Sequence, residues 1–295
     1  MHIETLGSGA PLVLLHGWGM HGGVWTEVAQ QLAEKFCVHV VDLPGHGKST
    51  LPSPVSGITS DLPACGLSRM ASSSIRGAGG EGLCATTLTP TLSRLREREL
   101  DGIVAELSAA FPTPITLCGW SLGGQVALHW AAREPDKVRR LILVASTPCF
   151  AERVDWAFGM ERAVLEKFAA ELETNHAATL RRFIALQLRG SEKERELLAV
   201  MRERLFSRGE PDMAALRAGL NILRDVDQRA ELALIRQPTL LIAGERDKLT
   251  PLEASRYMAQ AMPSARLIEV AGAAHAPFLS HPEIFVAHVS GFLCE

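Results

Sequence analysis

The chain has 295 residues and a formal net charge of −3 at pH 7. Hydrophobic residues make up 47% and charged residues 21%, which excludes a disordered, collagen-like or coiled-coil chain and favours a globular protein with a real core. The weak negative charge argues against nucleic-acid binding. The N-terminus has no basic segment before an apolar run, and no stretch approaches the roughly 18 apolar residues of a membrane span. We therefore expect a cytoplasmic monomer that binds neither nucleic acid nor membrane.

Short apolar runs alternate with helical patterns along the chain. Strands are predicted at 11–15, 37–41, 115–118, 141–144, 239–242 and 267–270. Helices are predicted at 24–35, 92–110, 122–133, 252–261 and 284–293. Strands that are apolar on both faces and alternate with helices are typical of a mainly parallel sheet covered by helices on both faces. The predicted fold class is therefore α/β, and ligands of such sheets bind beyond the carboxyl ends of the strands.

Two segments interrupt this alternation. Residues 151–230 are helical, charged and amphipathic, without a strand pattern, and we predict that they form a helical cap over the carboxyl end of the sheet. Residues 50–90 are mostly Ser, Gly, Pro, Thr and Ala with only four charged residues, which predicts a low-complexity, flexible insert. We expect deletion of residues 53–89 to leave activity largely intact. Residues 1–295 would then form a single domain with a cap and an insert.

The strongest local pattern is the run GWSLG at 119–123, which lies between a predicted strand and a predicted helix. This context is what a nucleophile elbow requires, because the sharp bend leaves no room for side chains beside the exposed serine. The helix behind Ser121 would present free N–H groups and its positive dipole end to a developing oxyanion. We therefore predict that Ser121 is a catalytic nucleophile.

A serine nucleophile on this scaffold needs an acid and then a histidine later in the chain. Asp247 and His275 follow the last two predicted strands, so both should lie at the same edge of the sheet as Ser121. We predict Asp247 as the orienting acid and His275 as the general base. Rival acids are Glu245, Asp225 and Asp227. Other histidines near predicted strands or helices are His16, His281 and His288.

An oxyanion hole needs two hydrogen-bond donors. The backbone N–H of Leu122, directly after the nucleophile, is one candidate. The other should come from the loop after the first predicted strand, where His16 begins the run HGWG. We assign this second donor to the Trp18 N–H, and the Trp18 ring would either line the acyl pocket or pack in the core.

Together these motifs resemble the α/β-hydrolase superfamily. The resemblance rests on HGWG at 16–19, DLPGHGKS at 42–49, GWSLGG at 119–124, Asp247 and His275. It covers the chain from about residue 12 to residue 293, apart from the segment after residue 49. Four further runs resemble the pimeloyl-[acyl-carrier protein] methyl ester esterases of biotin synthesis. These runs are STPCF at 146–150, RFIALQ at 182–187, LRDVD at 223–227 and HAPFLSHP at 275–282.

This resemblance implies an activity and a set of site residues. The reaction would be hydrolysis of the methyl ester of pimeloyl-[acyl-carrier protein], with Ser121, Asp247 and His275 as the triad and no metal or organic cofactor. The substrate contacts that it implies are Trp18, Ser121, Leu122, Phe183, Ile184, Ala185, Leu186, Gln187 and His275.

The carrier protein is acidic in this resemblance, so positive charge is expected on the cap. Residues 181–208 contain eight basic and four acidic side chains, which leaves a local charge of +4. Such a patch would steer an acidic partner, although a solvated helix face with Glu–Arg pairs is an equally good interpretation of any one residue. Our preferred carrier contacts are Arg182 and Arg195.

Two alternatives remain open at this point. The first is a general carboxylesterase for short acyl esters that uses the same triad. The second is a binding protein with a hydrolase fold and no turnover, which would not need the complete Ser–His–Asp set.

Overall fold

A computed structural model describes residues 1–51 and 90–295 of the chain, except for the side chains of residues 90–95. The predicted insert at 50–90 therefore lies almost entirely outside the described residues. Among the helices that are described, none is long and apolar enough to cross a membrane.

The described residues form a seven-stranded sheet in the order β1-β3-β2-β4-β5-β6-β7. All neighbouring strands are parallel except β1, which pairs antiparallel with β3 at one edge. The strands are β1 (His2–Leu6), β2 (Pro11–Leu15), β3 (Cys37–Asp42), β4 (Ile115–Trp120), β5 (Val138–Val144), β6 (Thr239–Gly244) and β7 (Ala265–Val270).

Ten described α-helices accompany the sheet. They are α1 (Thr26–Leu32), α2 (Pro90–Ala110), α3 (Leu122–Arg133), α4 (Arg162–Thr174), α5 (His176–Leu188), α6 (Glu194–Arg204), α7 (Met213–Asp225), α8 (Leu252–Ala261), α9 (Pro277–Ser280) and α10 (Pro282–Leu293). Helix α1 packs against α10, and α2 packs against α3, so helices flank the sheet. The central strands β2, β4 and β6 are buried along almost their whole length, which explains why their sequences are continuously apolar.

The sheet differs from the sequence prediction in a few elements. Strand β1 was not predicted, because its residues are only half-buried or exposed and include the polar side chains of Glu4 and Thr5. The helix predicted at 24–35 is instead a 3₁₀ turn at Gly22–Trp25 followed by the shorter α1. The short helix α9 was also not predicted. The predicted α/β class is confirmed by the mainly parallel sheet with flanking helices.

Helices α4 to α7 form the excursion between β5 and β6. Helix α4 packs on α5 and on α7, α5 packs on α6, and α7 packs on α2. Their buried side chains, such as Phe168, Phe183 and Leu216, belong to the same hydrophobic cluster as the sheet. The helices begin only at Arg162, because residues 151–160 form isolated bridges rather than helix. The loop after β2 contacts α7 through Trp18, and the loop after β7 contacts α5 through His275.

Candidate active site

Ser121 lies at a sharp bend between β4 and α3. Its backbone has φ 56° and ψ −118°, a conformation that residues other than glycine rarely adopt. Its N–H donates to the Val144 carbonyl oxygen over 3.0 Å. A Cβ on Gly119 would collide with the backbone of Gly123. A Cβ on Gly123 would lie 2.6 Å from the carbonyl oxygens of Leu15 and His16, at the end of β2. Both glycines of the run are therefore required by close backbone approach.

Ser121, His275 and Asp247 form one continuous hydrogen-bonded chain. The Ser121 Oγ lies 2.9 Å from His275 Nε2, and His275 Nδ1 lies 2.8 Å from Asp247 Oδ2. All three residues are buried: Ser121 and Asp247 are 4% exposed and His275 is fully buried. The register of β6 beside β7 pairs Gly244 with Val270, which sets the two following loops side by side. This places the three side chains within hydrogen-bond distance although up to 154 positions separate them.

Asp247 is fixed by donors from its own loop. Its Oδ1 accepts from the Leu249 N–H over 2.8 Å and from the Thr250 N–H over 3.0 Å. The Thr250 hydroxyl donates to Asp247 Oδ2 over 2.7 Å, so that oxygen is shared between Thr250 and His275. These bonds hold the carboxylate in one orientation toward the imidazole.

The rival acids have other partners. Glu245 is exposed and accepts from the Gly272 N–H over 2.9 Å. Burial opposes ionisation of Asp225, but the guanidiniums of Arg224 and Arg96 outweigh it and hold its pKa below the usual range. Burial likewise opposes ionisation of Asp227, whose pKa is lowered by its hydrogen bonds with Arg229. Of these carboxylates and Asp247, only Asp247 is hydrogen-bonded to His275.

The main chain of His275 is held from two sides. Its N–H donates to the Gln187 carbonyl oxygen on α5 over 3.0 Å. Its carbonyl oxygen accepts from the Trp120 indole N–H over 2.8 Å. The imidazole is therefore positioned both by the strand that carries the elbow and by a helix of the excursion.

The loop after β2 lies against the nucleophile. A Cβ on Gly17 would come within 3.2 Å of Ser121 Cβ, so the glycine permits this approach. Neither the Trp18 N–H nor the Leu122 N–H has an acceptor within the described residues. Both amides are therefore free to donate to a ligand, which is what an oxyanion hole requires.

His16 braces this loop rather than acting beside Ser121. Its Nε2 accepts from the Leu43 N–H over 2.9 Å, and its Nδ1–H donates to the Gly17 carbonyl oxygen over 2.8 Å. Complete burial, with a smaller contribution from nearby His46, lowers the His16 pKa from 6.5 to about 3. The imidazole is therefore neutral at physiological pH, and this neutral form makes both bonds.

The Trp18 side chain is anchored to the excursion. Its indole N–H donates to the Leu216 carbonyl oxygen on α7 over 2.8 Å, and its ring meets Phe183 edge-to-face with centroids 4.9 Å apart. A Cβ on Gly219 would lie 2.6 Å from the Trp18 ring and 3.1 Å from the Leu122 side chain. The Trp18 ring is thus hydrogen-bonded to α7 and packed against α5, and it connects the loop after β2 to both helices.

The run 183–187 on α5 is mostly buried next to this site. Phe183, Ile184 and Gln187 are at most 2% exposed, whereas Ala185 and Leu186 are half-buried. The Gln187 side-chain amide is buried without a hydrogen-bond partner among the described residues. Of the five residues, Phe183 and Gln187 touch groups of the site directly, through Trp18 and His275 respectively.

The two preferred carrier contacts differ in their surroundings. The Arg182 guanidinium forms an ion pair of 2.5 Å with Glu171 and lies 4.4 Å from the centre of the Phe168 ring. Arg195 is exposed on α6. Arg182 therefore already has a partner on α4, and it would have to exchange that partner to bind an acidic protein.

Several contributors to the site were not predicted from the sequence. Thr250 follows Asp247 by three positions and donates to its carboxylate. An aspartate in a turn commonly accepts from residues shortly after it in the chain, so this contact could have been predicted. The contacts of Leu216, Gly219 and Trp120 carry no local signal, because they join residues far apart in the chain.

The arrangement is suited to nucleophilic acyl transfer. A hydroxyl, an imidazole and a carboxylate form one hydrogen-bonded chain. Two backbone N–H groups without acceptors among the described residues belong to Leu122, directly after Ser121, and to Trp18, in the loop that packs against Ser121. Within residues 1–51 and 90–295, no cluster of three or more His, Cys, Asp or Glu side chains could hold a metal ion.

Comparison with known proteins agrees with this chemistry. The family model for the alpha/beta hydrolase fold matches residues 10–282. The pimeloyl-[acyl-carrier protein] methyl ester esterase of Nitrosomonas europaea is 40% identical over 287 residues, which are 97% of this chain and 97% of that protein. The protein of the same name from Chromobacterium violaceum is 41% identical over 286 residues, covering 97% of this chain and 95% of that protein.

Solved structures show the same fold at lower identity. An esterase from Exiguobacterium antarcticum superposes with a TM-score of 0.78 at 20% identity and covers 100% of this chain and 95% of its own. The enol-lactonase from Burkholderia xenovorans LB400 superposes with a TM-score of 0.73 at 19% identity, covering 100% of this chain and 96% of its own. The chain therefore belongs to the α/β-hydrolase fold family and, within it, to the family of ester hydrolases named pimeloyl-[acyl-carrier protein] methyl ester esterases.

Proposed function

We propose that this chain is a serine carboxylesterase that hydrolyses the methyl ester of pimeloyl-[acyl-carrier protein], releasing methanol, in biotin synthesis. The observation that carries the proposal is the hydrogen-bonded chain from Ser121 through His275 to Asp247 in a member of this family. The near full-length similarity to proteins that bear this name supports the choice of substrate.

In the first half of the reaction Ser121 is acylated. His275 Nε2 takes the hydroxyl proton as Ser121 Oγ attacks the ester carbonyl carbon, and Asp247 stabilises the imidazolium that forms. The negative oxygen of the tetrahedral intermediate accepts from the Trp18 and Leu122 N–H groups. The imidazolium then returns the proton to the methoxide oxygen, so methanol leaves and an acyl-enzyme remains.

In the second half water releases the acid. His275 takes a proton from water, the resulting hydroxide attacks the acyl carbonyl carbon, and the same two N–H groups bind the oxyanion. The proton passes to Ser121 Oγ as the acyl–oxygen bond breaks. The product is the free carboxylate of the pimeloyl chain, and the enzyme returns to its starting state.

The carrier protein would approach the excursion helices. An acidic carrier is attracted by the exposed basic side chains of α5 and α6, which include Arg182 and Arg195. Arg195 is the simpler contact, because Arg182 has to leave Glu171.

The test is turnover of methyl pimeloyl-carrier protein by the wild type and by Ser121→Ala, followed by mass spectrometry of the loss of the methyl group. We expect turnover by the wild type and none by Ser121→Ala, while Ser264→Ala, at an exposed serine before β7, retains wild-type turnover. Full activity of Ser121→Ala would overturn the mechanism. Turnover of p-nitrophenyl esters without turnover of the carrier substrate would instead show a general carboxylesterase.

A further inference from the structure

A groove with mainly apolar walls opens beside the oxyanion site, between α2 and α7. Its volume is about 250 Å³, close to the lower end of pockets that hold small ligands, about 300 Å³. One of its walls is the Leu122 side chain, whose residue directly follows Ser121 in the chain. The groove therefore reaches the residue after the nucleophile, although Ser121 itself does not line it, and it lies between two helices.

Small residues give the groove its width. Gly102 on α2 and Ala215, Ala218 and Gly219 on α7 line it. A Cβ on Gly219 would press on both Trp18 and Leu122, so at this point the wall of the groove reaches both residues of the proposed oxyanion hole. A Cβ on Gly102 meets no atom within 4 Å, so that side of the groove is open space.

Two buried polar atoms of residues that line the groove lack partners. His46 is 4% exposed, and its Nδ1–H donates to the Pro44 carbonyl oxygen over 3.0 Å, which leaves Nε2 as an acceptor without a donor among the described residues. Glu99 Oε2 is likewise buried and unpartnered, while its Oε1 accepts from Arg96. Apolar walls with a few unsatisfied polar atoms are typical of a ligand pocket, since buried polar groups are normally paired.

We infer that this groove binds the linear acyl chain of the substrate, and that the small residues Gly102 and Ala218 set the chain length the enzyme accepts. The inference rests on the proposed function, because it requires the ester to react at Ser121. A chain of methylene groups matches the apolar walls.

The inference is tested by the ratio of kcat/KM for p-nitrophenyl octanoate to that for p-nitrophenyl acetate. Gly102 lines the groove and an added Cβ there meets no atom within 4 Å, so Gly102→Leu adds bulk to this wall without a backbone clash. Leucine also favours a helix more than glycine does, so the variant is expected to fold. We expect this ratio to fall by about tenfold or more, as is typical when a pocket loses room for methylene groups.

The matched control is Gly291→Leu. Gly291 is also an exposed helical glycine whose added Cβ meets no atom within 4 Å, but it lies on α10 and outside the groove. We expect this control to keep the wild-type ratio. Ala218→Leu narrows the opposite wall and should lower the ratio in the same direction.

An unchanged ratio in both groove variants, or an equal loss on both esters, would overturn the inference. Either result would leave the proposed function standing as long as the wild type cleaves the esters and Ser121→Ala does not. If the wild type does not hydrolyse these esters, the result counts against the proposed function instead. The two failures are therefore distinguishable in one set of assays.

Discussion

The Trp18 indole N–H donates to the Leu216 carbonyl oxygen over 2.8 Å, which ties the loop after β2 to helix α7. Replacement of Trp18 by Phe keeps an aromatic ring against Phe183 and removes this bond. We expect kcat to fall more than KM rises, because the loop is no longer held to α7. The backbone N–H of residue 18, which would bind the oxyanion, is then less well positioned. The free energy of unfolding should fall by about 1 kcal/mol. Steady-state kinetics with p-nitrophenyl butyrate and urea unfolding measure both effects.

Trp156→Phe is a close control for this change. The Trp156 indole donates to the Cys149 carbonyl oxygen over the same 2.8 Å, but in a separate small hydrophobic cluster. The Trp156→Phe variant should lose a similar free energy of unfolding and keep the wild-type kcat. Equal kcat values for the two variants would show that the Trp18 bond serves stability alone.

Asp247→Asn tests the orienting acid. The amide can no longer stabilise a protonated His275, and its NH₂ group would favour the wrong imidazole tautomer. We therefore expect kcat to fall by about 10⁴-fold, as in serine hydrolases with this substitution. Glu245→Gln, two positions earlier on the exposed side of the same loop, should retain most activity. A larger loss in Glu245→Gln than in Asp247→Asn would exchange the two assignments.

Buried histidines predict a loss of stability in acid. Burial lowers the His46 pKa, and burial with the effect of His46 lowers that of His16 to about 3. Between the ordinary value of 6.5 and about pH 3, these two histidines bind more protons in the unfolded chain than in the native protein. The free energy of unfolding should therefore be greatest above pH 6.5 and fall as the pH is lowered through this range.

His46→Phe isolates one of these groups. Phenylalanine keeps a ring beside His16 and removes a titrating site, so the dependence of stability on pH should become shallower by at most about 1.4 kcal/mol per pH unit. Urea unfolding at a series of pH values from 4 to 8 measures the slope (about half-unit steps suffice for one proton). His288→Phe makes the same replacement at an exposed position on α10 and serves as the control for the change of side chain itself. A slope in His46→Phe that equals the wild type would contradict the prediction.

Arg195→Glu tests the approach of the carrier protein. We expect kcat/KM for the carrier-bound substrate to fall by about tenfold at low salt and the difference to shrink as salt is added, while hydrolysis of p-nitrophenyl esters is unaffected. Arg139→Glu makes the same change at an exposed position near the start of β5, at the amino ends of the parallel strands. It should have no effect on either substrate, and equal losses in both variants would argue for a general effect of net charge.

The local patterns of the sequence were sufficient to predict most of the sheet. Buried strands such as β2 and helices such as α3 and α8 have the predicted bounds because apolar runs and flanking turn residues determine them. Strand β1 escaped prediction because it is an edge strand with mixed polarity. The bounds of α1 shifted because its first turn is 3₁₀ rather than α, a difference of hydrogen bonding that composition does not reveal.

The candidate site could be predicted where chain order and strand ends determine it. Ser121, Asp247 and His275 were selected because each follows a predicted strand, and the structure brings them into hydrogen-bond contact; their catalytic roles stay a prediction. The contact of Trp18 with Leu216 spans 198 positions and depends on how α7 docks, so no local pattern could indicate it. The pairing of Arg182 with Glu171 likewise depends on how α4 packs on α5.

The backbone of Ser121 has a consequence for engineering. Its φ of 56° is adopted without penalty by glycine and at a cost of about 1–3 kcal/mol by other residues. Ser121→Gly should therefore make the protein more stable and inactive at the same time. A directed-evolution screen that measures heat resistance alone would enrich such stable but inactive variants. Selection on this scaffold therefore has to include a measurement of esterase activity in every round.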